Sequence, residues 1–246
     1  MTLSLPCECT IGPLSLFSMF LKLIFLNLIV ACKSLKEYLR VVYRYYGCKA
    51  FRQTDLALLR RYLFINPYRI HKQFLMERGS GDLYSYGESY LTSFAQAMQA
   101  ARVSADDHFV ELGSARGRNG FWLQSFVGCH ILGIEQVPFF VEQACSVVKQ
   151  RKLQKISFQQ GDFLESDLSQ ATLVYVDATL MENEEIVRLL PRLEKMAPGS
   201  RVVGVNLSLV AEQGEGQGEK WSRIDRLELP FLWGVSEVAI FQRLDK

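Results

Sequence analysis

The stretch His108-Phe-Val-Glu-Leu-Gly-Ser-Ala-Arg-Gly-Arg-Asn-Gly120, with an apolar run over residues 121–127 behind it, decides how the rest of the chain is read. Residues 109–112 read as a buried strand that ends on an acid, Glu111. The chain then turns through Gly113, Ser114 and Gly117 into a helix. Glycine adopts dihedrals closed to other residues and lets a ligand approach the backbone, while the helix start presents unpaired N–H groups. A glycine pair after an apolar run is equally well a plain tight turn, so its meaning depends on the residues that recur at set intervals beyond it.

Beyond Gly120, strand and helix alternate. Strands are expected over residues 109–112, 130–134, 156–159, 172–176 and 201–206, with helices over 118–127, 139–150 and 182–196. This calls for a doubly wound α/β fold with a parallel sheet and helices on both faces. After a glycine-rich loop, Gly214 to Gly218, residues 224–229 and 235–241 are two strands with no helix between them. They predict an antiparallel hairpin at the sheet edge.

Upstream, 15 of the 19 residues from Leu14 to Cys32 are apolar, enough for a helix of roughly 28 Å. Membrane anchor, interfacial helix, helix packed on protein, or over-long start with Met19 as the true beginning all fit. Lys22 counts against crossing, since lysine at a helix centre costs about 2.5–3.5 kcal/mol. A cleaved signal is disfavoured, because nothing basic precedes the run. From Lys33 to Arg78 there are eleven Lys or Arg and three acids, a net +8 that the overall +2 conceals. Residues 33–64 have helical periodicity. A basic amphipathic helix suits an anionic membrane surface and would leave the following domain in the cytoplasm, and a solvated helical face fits as well. Basic residues without interleaved aromatic platforms argue against nucleic acid as a partner. The expected units are 1–32, 33–82 and 83–246.

The six cysteines (Cys7, Cys9, Cys32, Cys48, Cys129, Cys145) show no zinc spacing and no compact disulfide framework. They read as thiols in a reducing compartment. The three histidines lie in no ligand pattern, and no metal centre is expected. Ahead of the first strand, Tyr84-Ser-Tyr-Gly-Glu-Ser-Tyr90 precedes a helix over 91–102. Ser89 is the expected N-cap, and the segment is either a lid over a ligand or an ordinary capped turn.

Three carboxylates at strand ends select the ligand. Glu135 ends the second strand, 22 residues beyond Gly113, where a doubly wound fold grips a ribose. Glu111 would repel a pyrophosphate and suits a ligand bearing sulfonium and ammonium. Asp162-Phe163 comes after the third strand, where the acid can accept from an adenine amine while the Phe163 N–H donates to the ring. Together these point to S-adenosylmethionine. At the end of strand four, Asp177 and, behind it, Tyr175 are the candidates for the acceptor side, Asp177 being equally readable as the N-cap of the helix at 182.

Tyr86-Gly-Glu-Ser89, Phe109-Val-Glu-Leu-Gly-Ser114, Gly133-Ile-Glu135, Gly161-Asp-Phe-Leu164 and Val174-Tyr-Val-Asp177 resemble, in order, motifs of the class I seven-strand methyltransferases, nearest to the Dot-type (disruptor of telomeric silencing) lysine methyltransferases. The resemblance covers about half of the chain. It implies cofactor contacts from Tyr86, Glu88, Ser89, Glu111, Gly113, Glu135, Asp162 and Phe163. Two positions depart from the family. Ala115 replaces a glycine and brings a methyl group toward the cofactor. Asp177-Ala178-Thr179 replaces an Asn-Asn-Phe that shapes the lysine channel. The D/N-P-P-Y/F quartet used on amide and base nitrogens is absent. The leading expectation is a methyltransferase acting on a protein lysine. Its rivals are a small-molecule or lipid methyltransferase and a non-catalytic, membrane-tethered binding protein.

Overall fold

The computed structural model describes residues 13–79, 86–209 and 220–245, of which residues 13–20 and 23 are described in backbone only. The Gly214 to Gly218 loop, Cys7, Cys9, Tyr84 and the end of the break after Arg78 lie outside these. Helices α1 (Pro13–Tyr45), α2 (Lys49–Arg61), α3 (Pro67–Glu77) and α4 (Leu91–Ala100) come first. Then β1 (His108–Leu112), α5 (Arg118–Phe126), β2 (His130–Glu135), α6 (Pro138–Arg151), β3 (Ile156–Gln160), β4 (Leu173–Asp177), α7 (Asn183–Leu193) and β5 (Arg201–Val205) alternate. The long strands β6 (Trp221–Pro230) and β7 (Val235–Arg243) close the chain.

The seven strands form one sheet in the order β3-β2-β1-β4-β5-β7-β6. The first five strands are parallel, and β7 runs antiparallel to both β5 and β6, the hairpin the sequence predicts. Alternation along each strand builds two cores. Phe109, Ile131, Phe158, Tyr175 and Val203 face α4, α5 and α6 through Phe94, Met98, Phe121, Leu123 and Phe140. Val110, Ile134, Val174, Val176 and Val202 face α7 and the segment after β3 through Leu189, Leu193, Leu164 and Leu168. Each such side chain contributes about 1.5–3 kcal/mol when removed from water. The strand order reverses between β1 and β4, so the ligand crevice lies at the C-terminal ends of those two strands.

The N-terminal segments differ from the sequence reading. One helix, α1, runs through the change from apolar to basic residues at Lys33, because a change in hydropathy is not a helix breaker. No helix among the described residues is long and apolar enough to cross a membrane, so the membrane-spanning expectation for residues 14–32 gains no support. Leu21, Phe25, Leu26 and Leu28 are at least half exposed.

Ser89 does not cap α4. The N-cap is Tyr90, whose side chain makes no capping bond, and the buried Glu37 of α1 accepts instead from Thr92 N at 3.0 Å and Thr92 Oγ1 at 2.9 Å. A carboxylate at a helix start satisfies an orphan N–H and complements the dipole. Here it arrives from 55 residues away in sequence. Asp177 is not the cap of α7 either. Glu182 is, in a reciprocal capping box with Glu185.

Candidate functional site

The turn after β1 is held from β2. Gly113 and Ser114 both donate their N–H to Ile134 O at 2.9 Å, and Gly117 N closes back on Ser114 O at 2.7 Å. Gly113 and Gly117 have φ of 76° and 77°, and Ala115, at 45°, takes the same left-handed region at a cost of about 1–2 kcal/mol. The two glycines serve different ends. A Cβ on Gly113 would meet nothing within 4 Å, so this side of the turn is open to a ligand. A Cβ on Gly117 would lie 2.4 Å from the Phe158 ring, and one on Gly133 2.5 Å from it. Gly117 therefore makes room for a core phenylalanine as α5 starts.

Four acids converge beside this turn. Glu111 is 3% exposed. Its Oε1 accepts from Asn119 Nδ2 at 2.7 Å, and its Oε2 is buried without a hydrogen-bond partner. Burial, with the nearby charges of Glu88 and Glu135 and against the Asn119 bond, pushes this carboxyl up to about 8. An orphaned buried carboxylate oxygen is a costly arrangement that a cationic ligand relieves. Glu135 accepts from Ala115 N at 2.7 Å through one oxygen and from Val137 N at 2.9 Å through the other. Burial still raises its pKa over the lowering effect of these backbone bonds. Each oxygen keeps a second lone pair for a hydroxyl.

Glu88 is charged. Burial opposes its ionisation, but Arg116 and the hydrogen bonds from Arg116 and Tyr86 outweigh it, and the pKa falls. Arg116 Nε donates to Glu88 Oε1 at 2.6 Å and Tyr86 OH donates to the same oxygen. Arg116 belongs to the glycine turn, so this pair fastens the Tyr86 to Ser89 segment to that turn. Asp162 Oδ1 accepts from Leu164 N at 2.9 Å and, at 3.4 Å, from Gln136 Nε2 beside Glu135. It caps the short 3₁₀ turn Phe163–Glu165, whose Phe163 packs partly buried against the second core. Gly161 N donates to Glu135 O at 3.0 Å, which sets Asp162 next to the end of β2.

Across the crevice, Ser89 Oγ lies 2.7 Å from Tyr175 OH and donates to Asp177 Oδ2 at 3.3 Å. Asp177 Oδ1 accepts from Thr179 N at 3.1 Å and Thr179 Oγ1 at 2.6 Å. Burial raises the Asp177 pKa against those bonds, and burial with the Asp177 charge holds Tyr175 well above the usual phenol range. Tyr175 on β4 is the register partner of Glu111 on β1, so phenol and carboxyl lie side by side on one face of the sheet. Ser114 Oγ is buried without a partner at the same turn.

Sequence reasoning misses Asn119, Arg116, Gln136 and the support beneath the turn. Arg118 Nε and Nη2 donate to the two oxygens of Asp55, which is fully buried, at 2.7 and 2.8 Å, and Tyr46 OH donates to Asp55 at 2.9 Å. Neither the arginine that opens α5 nor the lone acid of α2 carries a local signal of this pairing. Among the described residues no cluster of three or more His, Cys, Asp or Glu could hold a metal ion.

The sequence matches no protein-family model and no curated relative. Solved structures do match. An RNA methyltransferase from Salinibacter ruber, in complex with S-adenosyl-L-homocysteine, aligns at TM-score 0.50 and 24% identity over 62% of this chain and 91% of its own. The chain has a class I methyltransferase fold. TrmN from Thermus thermophilus aligns at 0.51 and 13% identity over 61% of this chain, which spans 48% of TrmN. The Escherichia coli protein yhhF aligns at 0.50 and 16% identity over 63% of this chain and 88% of its own. In this fold the open side of Gly113, the orphaned Glu111 oxygen and the Glu135 carboxylate lie at the C-terminal ends of β1 and β2, where ligands bind.

Proposed function

We propose that this protein is an S-adenosylmethionine-dependent methyltransferase whose acceptor is an amine, with a protein lysine as the preferred substrate class. The observation that carries the cofactor reading is Glu111: a buried carboxyl with one oxygen unpaired, beside a backbone turn that is open at Gly113. A ligand with a positive charge supplies the missing partner. Glu135 would accept from ribose hydroxyls, Asp162 from the adenine amine, and the charged Glu88–Arg116 pair would hold the Tyr86 to Ser89 segment over the site.

The bound cofactor supplies a methyl group activated by its sulfonium. The protein's work is then to place the acceptor in line and keep water out. An amine must arrive without its proton. Asp177, held between Thr179 and Ser89 and raised by burial, is suited to accept a hydrogen bond from an ammonium and to pass its proton to solvent. Ser89, itself held by Tyr175 OH, orients that carboxylate. The resemblance of the Tyr86 to Ser89 segment and the strand ends to the lysine-directed family supports lysine, and the absence of a D/N-P-P-Y/F quartet weighs against amide and base nitrogens.

Transfer of labelled methyl groups into a cell lysate separated into protein, RNA, lipid and small-molecule fractions tests both levels. Label recovered as methyl-lysine in protein and lost in Glu111→Gln is expected. Label confined to RNA, lipid or small molecules overturns the protein-lysine reading, and no label with no cofactor binding overturns the enzyme.

A further inference from the structure

The β6–β7 hairpin tip carries an aromatic residue to which the strand-end carboxylates assign no role. Trp233 is 42% exposed, whereas Trp122 and Trp221 are buried. Its ring stacks on Phe231, 5.0 Å between centroids at 20°. Its edge rests on the Tyr86 to Ser89 segment so closely that a Cβ on Gly87 would stand 3.0 Å from Trp233 Cζ3. The indole is oriented as well as packed. Trp233 Nε1 donates to Ser236 Oγ at 3.0 Å, Asn206 Nδ2 bridges Ser236 Oγ at 3.3 Å and Thr179 Oγ1 at 2.9 Å, and Thr179 Oγ1 donates to Asp177 at 2.6 Å.

A continuous chain of hydrogen bonds thus links an exposed indole to the strand-four acid across three elements of the fold. Asn206 accepts a φ of 51° at the end of β5, in the left-handed region that asparagine tolerates better than most residues. The bond to Ser236 and the relay behind it hold the ring in one orientation.

We propose that Trp233 forms the outer wall of the acceptor subsite and selects a cationic acceptor, an ammonium or methylammonium on a flexible chain, through its π face, with Asp177 holding the inner side. Indole is the strongest of the aromatic partners for a cation, and quaternary ammonium recognition by aromatic walls uses this attraction. The proposal rests on the methyltransferase reading and deepens it. Because the wall and the acid are joined by the Thr179–Asn206–Ser236 relay, ring and carboxylate keep a fixed relation to each other. The donor-side acids Glu111 and Glu135 stand on β1 and β2, and the Tyr86 to Ser89 segment, on which Trp233 rests, joins that side to the hairpin tip.

The test uses the full chain saturated with S-adenosylhomocysteine and two probes. One is N-acetyl trimethyl-lysine amide, and the other is its uncharged isostere with carbon in place of the quaternary nitrogen. The wild type should bind the cationic probe about fivefold or more tightly than the isostere. Trp233→Ala should lose that preference and Trp233→Phe should keep part of it, all three proteins being compared at saturating S-adenosylhomocysteine. Equal preference in wild type and Trp233→Ala, or no preference in the wild type, overturns the proposal while leaving the methyltransferase reading in place. Failure of all three proteins to bind S-adenosylhomocysteine overturns both.

Discussion

Asn119, in the first turn of α5, donates to one oxygen of Glu111 at 2.7 Å and leaves the other oxygen of the same buried carboxyl without a partner. The helix after the glycine turn therefore fixes the orientation of the acid that precedes it. The other oxygen has no hydrogen-bond partner among the described residues.

The first prediction concerns protons. The folded pKa of Glu111, about 8, lies above the 4.5 of an ordinary glutamate, so the folded chain holds a proton that the unfolded chain has released between those values. Its contribution to stability is fully present below pH about 4.5 and is lost as pH rises toward 8, by up to about 1.4 kcal/mol per unit. Chemical denaturation of the ligand-free protein from pH 5 to pH 8 should show this fall, and Glu111→Gln should flatten it. A sulfonium ligand favours the ionised form, so its binding near neutral pH should release up to one proton. Calorimetry in two buffers of different ionisation enthalpy reads that release, which should vanish in Glu111→Gln.

The second prediction separates the glycines. Gly117→Ala combines left-handed strain with a contact 2.4 Å from the Phe158 ring, and should cost about 2–4 kcal/mol of stability. Gly113→Ala has the same φ problem and no clash, so its stability loss should be only about 1–2 kcal/mol. It should nevertheless weaken cofactor binding, because its methyl group enters the open side of the turn. Thermal unfolding paired with binding measurements distinguishes the two. Ala115→Gly should raise the melting temperature, since relief of left-handed strain exceeds the extra entropy of a glycine in the unfolded chain.

Much of this architecture is legible in the sequence, and the reasons for the rest are physical. The strand and helix alternation from Phe109 to Val205 and the terminal hairpin come from local periodicity, and strand ends differ by one to three residues because pairing partners set them. The three strand-end acids can be picked out because each lies at a fixed interval from an apolar run. Ser89 reads as a cap in sequence but is not one, because its hydroxyl is recruited by Tyr175, 86 residues away, while Glu37 takes over the capping from α1. The reason for Gly117 is the ring of Phe158, and a glycine gives no sign of which distant side chain will occupy its empty face. Arg116 and Arg118 read as ordinary surface charges until the fold supplies Glu88 and Asp55.

The Arg118–Asp55 pairing gives the third prediction. Asp55 is fully buried and is bonded through both oxygens to Arg118, which joins α2 to the first turn of α5. Asp55→Ala leaves an uncompensated guanidinium in the interior and should destabilise the protein by about 3–5 kcal/mol. The double variant Asp55→Leu with Arg118→Met should recover much of that loss. Urea unfolding of wild type and both variants reads the difference, and an Asp55→Ala protein as stable as the wild type would show that the N-terminal helices are not fastened here.

The fourth prediction addresses the acceptor side. Asp177→Asn keeps the shape and the Thr179 contacts but cannot take a proton, so the initial rate of labelled methyl transfer should fall by about 100-fold. Cofactor affinity should be unchanged, because Asp177 stands on β4 across the crevice from Glu135. Tyr175→Phe, which removes only the hydroxyl 2.7 Å from Ser89, should have the smaller effect.

Titration of S-adenosylmethionine into the full chain and into Glu111→Gln at neutral pH, read by calorimetry, addresses the central claim most directly. The wild type should bind one equivalent, and the variant should bind roughly ten- to a hundredfold more weakly, as expected for loss of a charge-assisted hydrogen bond in a buried site. No saturable heat from the wild type, or equal affinity in the two proteins, would contradict the account.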